Sequence, residues 1–449
     1  MSQSSERPSR AAIVGTGGRA TMYTRALGQR PGTTVAALCD PNPVRRGIHS
    51  RLLTEQFGQP APSEWPPEEF EKMLATERID TVVVTTVDQY HDEYIVKALD
   101  AGCWTITEKP MTTDPVKCRR ILEAAERTTG RLSVTFNYRF NSAFATVHRL
   151  LREGTIGSIT SVHFEWVLDV RHGADYFRRW HREKRNSGGL MVHKASHHFD
   201  LVNWWLDSAP RTVFGAGQLS FYGSESGQRN GLARDYVRAH GAPAAVGDPF
   251  ALDMAGDDTL RALYLDAEGE DGYIRDQNVF GDGVTIEDDM AVLATFASGA
   301  SMSYHLTAYS PWEGCRVMFN GSTGRLELDM EESVWLSPPT PQQEGYGLHG
   351  TKAATHAGEP RIQVRPLWKE PYDVPVEYSH GGHGGADERL LQALFNPELA
   401  PAEDLAKLAT ARDGAYALLV GAAANTSFGS GQAVTIADLV DVESYRKIG

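Results

Sequence analysis

The run Gly15-Thr16-Gly17-Gly18-Arg19-Ala20 constrains this chain more tightly than any other stretch of it. The apolar RAAIV precedes it, and TMYTRALGQR, which reads as a helix, follows. A strand that turns through glycines into a helix lets a ligand approach the backbone closely, and the first helical N–H groups have no intrahelical acceptor. Those groups and the positive end of the helix dipole attract an anion. The pattern G-x-G-x-x-G/A is weak alone. Here Asp40 closes the next apolar run, TVAALCD, where a carboxylate would accept ribose hydroxyls. Together they predict a dinucleotide site with Gly15, Gly17, Gly18, Arg19 and Asp40 among its contacts. The acid at position 40 favours NAD by repelling the 2′-phosphate of NADP. Arg45 and Arg46 lie close enough in sequence to keep NADP as the lesser expectation.

The alternation around this turn extends the reading. IDTVVVTT is apolar and β-branched, as a parallel strand covered on both faces requires. CWTITEKP and RLSVTFNYRF follow, with helix-like stretches PEEFEKML, DEYIVKALDAG and DPVKCRRILEAAERTTG between the strands. The last has Asp114 as its cap, Pro115 at its first position and Gly130 as its stop. Alternating β and α predicts an α/β fold, with a Rossmann-type, doubly wound parallel sheet over residues 1–138. Past about residue 140 a helix (AFATVHRLLREG) leads into consecutive strands: SITSVHFEWVLDV, RTVFGAGQLS, MAVLATFASGASMSYHL, CRVMFNGS and GRLELDM. These predict an α+β domain over residues 139–449, built on a mainly antiparallel sheet. A Gly- and Asp-rich insertion runs from about Phe221 to Asp289. A late helix near 402–427 is expected to pack back onto the core, on the first domain.

Composition narrows the partners. A formal net charge of −14 over 449 residues argues against nucleic acid or an anionic membrane surface. The first ten residues are polar, and no window approaches eighteen uninterrupted apolar residues. Four scattered cysteines (Cys39, Cys103, Cys118, Cys315) read as buried reduced thiols. The expectation is a cytoplasmic protein.

Several motifs, taken together, resemble the glucose–fructose oxidoreductase and inositol dehydrogenase (Gfo/Idh/MocA) family. They are G-x-G-G-R after the first strand, T-x-x-x-x-x-H (Thr85–His91) after the fourth, Glu108-Lys109-Pro110 after the fifth and Asn137-Tyr-Arg139-Phe after the sixth. Ser187-Gly-Gly then leads into the spacing D-x-x-x-H-x-x-D, followed by NGSTGRLEL and by HGGAD around His383. The resemblance spans nearly the whole chain. It implies an open-faced sheet in the second domain and a nicotinamide cofactor contacted also by Thr86, His91, Glu108, Lys109 and Asn137. It further implies a sugar, cyclitol or related polyol as substrate and a functional Lys109 at the ligand edge of the sheet. Read without the resemblance, Lys109 could equally be a solvated strand end.

The chain departs from the family where LMVHKASHHFD stands. His193 occupies the position of the family's aspartate, with His197 and Asp200 completing the spacing. On one continuous helix His193 and His197 would share a face, with His198 about 100° round. Three readings compete: a metal-binding pair, a solvated face, and a catalytic pair. Metal is disfavoured because a third ligand and the glutamate of H-E-x-x-H are missing, so no metal is expected. The catalytic reading makes His197 the base, Lys109 the group that stabilises the alkoxide, and His193 a relay. Arg139, Arg179, His181, His198 and His383 are candidate substrate contacts. The leading expectation is an NAD-dependent dehydrogenase acting on a carbohydrate or polyol. The alternatives are a redox-assisted glycoside hydrolase and a nucleotide-binding sensor, the latter disfavoured by an intact Lys109 and His197. The uncovered sheet face suggests a homo-oligomer.

Overall fold

The computed structural model describes residues 9–336, 358–376 and 385–449. His383 lies outside the described residues. The first sheet holds six strands: β1 (Ser9–Val14), β2 (Thr33–Cys39), β3 (Ser63–Trp65), β4 (Thr81–Val84), β5 (Trp104–Thr107) and β6 (Arg131–Val134). Their order is β3-β2-β1-β4-β5-β6, and every pairing is parallel. Val82, Val83 and Val84 are fully buried, because helices cover both faces. Parallel order sends the glycine turn, Asp40, Thr85–His91, Glu108-Lys109 and Asn137 to the same carboxyl edge, where such sheets bind ligands.

The second sheet has nine strands. They are β7 (Ile159–Asp169), β8 (Pro210–Gln218), β9 (Asp289–Phe296), β10 (Ser301–Ser310), β11 (Glu313–Gly321), β12 (Gly324–Ser333), β13 (Arg361–Pro366), β14 (Tyr372–Val374) and β15 (Val434–Thr435). Their order is β14-β13-β12-β11-β7-β10-β9-β8-β15, antiparallel except for the parallel β7–β10 pair at its centre. The run MAVLATFASGASMSYHL is thus a hairpin, turned at Gly299. Buried and exposed positions alternate along β9 and β10, so one face packs inward and the other meets solvent.

Three local features differ from the sequence reading. Pro43–Arg51 is a helix capped by Asn42, although PNP looked like a simple turn. The late helix splits into Ala402–Leu405 and Ala411–Ser430, because Thr410 and Asp413 form a capping box at the second start. LMVHKASHHFD is not one regular helix. Leu190–His193 and Ser196–Leu206 are separated where the Leu190 carbonyl accepts from both Lys194 N and Ala195 N. All four cysteines are buried and unpaired. Among the described residues no helix is long and apolar enough to cross a membrane.

Candidate active site

A cleft of about 1270 Å³ runs from the glycine turn to the second sheet. Gly15 has φ +84°, and a Cβ there would lie 2.7 Å from the Thr85 carbonyl, so only glycine lets the turn seat against the loop after β4. The Asp40 carboxylate accepts from Thr16 N at 2.7 Å and from Asn42 N at 2.8 Å, which fixes it at the end of β2 facing the cleft. Gly18 N–H donates to the Tyr264 hydroxyl at 3.0 Å, so this N–H already serves an oxygen acceptor. Arg19 pairs with Glu108 at 2.6 Å, and Tyr23 donates to the same carboxylate at 2.7 Å. Asp387, from the HGGAD run, faces Arg19 at 3.4 Å and accepts from Asn137 Nδ2 at 2.7 Å. Asn137 Oδ1 is buried and has no partner among the described residues, which leaves an acceptor on the cleft wall for a carboxamide. These features fit a dinucleotide. His91 lies behind that wall, fully buried, with one ring nitrogen 2.9 Å from the Pro110 carbonyl and the other 3.2 Å from that of Thr86. It ties the loop after β4 to the loop after β5.

Further along the cleft, Lys109 Nζ lies 3.5 Å from His193 Nε2 and 3.4 Å from the His193 carbonyl. His193 Nδ1 contacts Asp88 Oδ2 at 2.5 Å. The tautomer that suits both contacts donates Nδ1–H to Asp88 and turns the Nε2 lone pair toward Lys109. Burial dominates the electrostatics here. It lowers the Lys109 pKa to about 8 and pushes His193 well below its usual value, aided by the charges of Lys109 and Arg179. Burial likewise raises Asp88. Asp88 and His193 are buried and Lys109 is half-buried, and the three line up as a chain for a proton.

His197 lines the same cleft but has different neighbours, its ring stacked 4.4 Å from that of Tyr138. Lys194 donates to the Tyr138 hydroxyl at 3.0 Å. His181 packs edge-on against His193 with ring centres 4.2 Å apart and stacks on Trp180. Arg179 reaches the cleft while paired to Asp175 at 2.8 Å. In the same cleft His172 bridges Glu313 at 2.8 Å and the Tyr176 hydroxyl at 3.1 Å, and Tyr176 packs edge-on against His193 with ring centres 5.5 Å apart.

Two expected contacts sit elsewhere. Arg139 is buried against Asp200 at 2.6 Å and Asp413 at 3.0 Å, a joint between helices. His198 is fully buried, stacked on Trp166 and bonded to the Tyr304 hydroxyl at 2.6 Å. Neither belongs to the cleft lining. Sequence reasoning missed Asp88, Asp387, Tyr264, His172 and Glu313. Asp88 stood inside the T-x-x-x-x-x-H run and Asp387 inside HGGAD, but no spacing linked either to its partner.

Residues 9–136 match the model described as an oxidoreductase family NAD-binding Rossmann fold, and residues 148–436 its C-terminal alpha/beta domain. The chain is 32% identical to the putative oxidoreductase YteT of Bacillus subtilis, over 89% of this chain and 91% of that one. It is 30% identical to the inositol 2-dehydrogenase of Gluconacetobacter diazotrophicus, over 33% of this chain and 42% of that one. The aldose–aldose oxidoreductase of Caulobacter crescentus, solved with glycerol, shares the fold with a TM-score of 0.59 at 16% identity, over 96% of this chain and all of that one.

Proposed function

The chain belongs to the Gfo/Idh/MocA family of oxidoreductases, and on that premise we propose that it oxidises a hydroxyl of a sugar, cyclitol or glycoside with NAD⁺ as the preferred acceptor. When bound, the nicotinamide supplies the hydride acceptor. The observation that carries the reading is the Lys109–His193–Asp88 chain at the carboxyl edge of the parallel sheet. Lys109, with a pKa near 8, accepts the hydroxyl proton, and His193, which burial keeps neutral, accepts from the ammonium through Nε2. Asp88 accepts from Nδ1–H and so fixes the tautomer and orientation of the ring, as the carboxylate of a hydroxyl–imidazole–carboxylate triad does. This arrangement gives Lys109 the part expected of His197. His197, on the adjoining wall with Lys194 and Tyr138, is placed to hold a substrate hydroxyl. Arg179 and His181 complete that end of the cleft.

A panel of sugars, cyclitols and glycosides with NAD⁺, followed by the absorbance of reduced nicotinamide, tests the reading. At least one compound is expected to be oxidised by the native chain and about 10²-fold more slowly by Lys109→Ala, the usual size of an acid–base contribution. Equal rates would sink the assignment of Lys109. A second reading, the redox-assisted glycoside hydrolase, is favoured by Tyr176–His172–Glu313, a second proton-handling chain that dehydrogenation alone does not need. Release of an aglycone without net formation of NADH would select it. The open sheet face is proposed to pair with a second copy of the chain.

A further inference from the structure

We propose that Asp271, on the insertion between β8 and β9, sets the preference for NAD over NADP by neutralising Arg45. The inference rests on the dinucleotide reading above. A 2′-phosphate would arrive beside Asp40, and two arginines lie near enough in sequence to receive it. Arg46 is taken: its Nε pairs with Glu64 at 3.1 Å, its Nη1 donates to the Asp40 carbonyl, and it is not part of the cleft lining. Arg45 lines the adenosine end of the cleft beside Asp40, Pro41 and Tyr94.

Arg45 is bracketed by two carboxylates. Its Nη2 is paired with Asp271, and its Nε lies 3.8 Å from Asp40 Oδ1. The side chains are only 9% (Arg45), 16% (Asp271) and 7% (Asp40) exposed, so solvent screens the group poorly. One guanidinium between two carboxylates leaves a formal charge of about −1 where a phosphate would bring nearly −2 more. To hold that phosphate, Arg45 would have to leave Asp271, and a mostly buried carboxylate would lose its cation. A ribose hydroxyl asks for none of this, since the Asp40 carboxylate needs only to accept from it.

The insertion is pinned where this works. Asn42 Nδ2 donates to the Ala267 carbonyl at 2.8 Å. The short helix Glu268–Asp271 then ends at Gly272, whose φ of 71° turns the chain away just past the carboxylate. Asp271 thus comes from the second part of the chain yet acts at the end of β2.

Calorimetry of NAD⁺ and NADP⁺ binding to the full-length chain tests this. Asp271→Ala should tighten NADP⁺ relative to NAD⁺ by about tenfold or more, since a freed, poorly hydrated guanidinium makes a charge-assisted bond to phosphate. Asp271→Asn, which keeps the size of the side chain, should move the ratio the same way and decides the matter if the alanine variant does not fold. Arg45→Ala combined with Asp271→Ala should abolish the gain. An unchanged NADP⁺/NAD⁺ ratio in the Asp271 variants would overturn the inference and leave the dinucleotide reading standing. Binding of neither nucleotide by the native chain would overturn both.

Discussion

At His193 the chain trades one ionisable group for two. Where its relatives are expected to carry an aspartate, an imidazole stands, backed by Asp88 from the loop after β4. This makes the apparently restorative change His193→Asp harmful. It would place a second carboxylate beside a buried first one, and the pair could not both ionise. His193→Asp alone should therefore lose most turnover, about 10²-fold, while His193→Asp with Asp88→Asn recovers part of it. Full activity in the single variant would refute the proton chain. The same chain fixes a pH dependence. Burial favours the neutral amine, so Lys109 titrates near 8 and not at its usual 10.5. Below that pH the ammonium cannot accept a proton; above it the amine can. The rate of alcohol oxidation should rise as pH passes through about 8, and ketone reduction, which needs the ammonium, should fall. Profiles of kcat/KM in both directions measure this, and a flat oxidation profile across that range would count against Lys109. None of it was legible in the sequence beyond Lys109 and His193, because residues 88 and 193 meet only through the packing of two domains.

At the scale of elements, the parallel alternation, the cap at Asp114 and the glycine turn were legible because each is a local pattern. The break at Lys194–Ala195 was not. No proline or glycine marks it, and the apolar period runs on through LVNWWL. What shapes it is the helix Ala411–Ser430, which crosses the Leu190–His193 turn at Gly421. A Cβ at Gly421 would lie 2.2 Å from the Met191 carbonyl, two residues before the ring that serves Lys109. Alanine is a better helix former than glycine by about 1 kcal/mol, so on propensity Gly421→Ala should stabilise the long helix. The clash with fixed backbone outweighs that gain. The variant should show a lower urea midpoint and a turnover reduced at least about tenfold, with NAD⁺ affinity largely kept, since small misplacements of a catalytic group are costly. A higher midpoint with normal turnover would mean that the two helices do not touch as described.

At the scale of the whole molecule, the described residues leave an apolar patch on the second sheet that neither cleft nor core absorbs. The solvent face of the nine-stranded sheet carries Phe214 and Leu293, direct partners in the β8–β9 register, and they are 42% and 58% exposed. Ala216 and Ala291, the next outward pair, are exposed beside them. The family resemblance made an open face legible in advance, but not which positions on it stay apolar, since that depends on register. Large exposed residues paired across strands mark a contact surface, and on a sheet face related by twofold symmetry each copy offers the same patch to the other. The charge of −14 per chain opposes such pairing at long range. At about 0.15 M salt the Debye length is near 8 Å and the repulsion is largely screened, whereas at about 0.01 M it reaches about 30 Å. Light scattering after size exclusion should therefore find a dimer at the higher salt and partial dissociation at the lower. Leu293→Glu should give monomer at both, because it buries an unpaired charge against its own symmetry mate and adds to the repulsion. A dimer that survives Leu293→Glu would mean that the chains pair through another surface, and a monomer in the native chain at high salt would mean that this face stays in water.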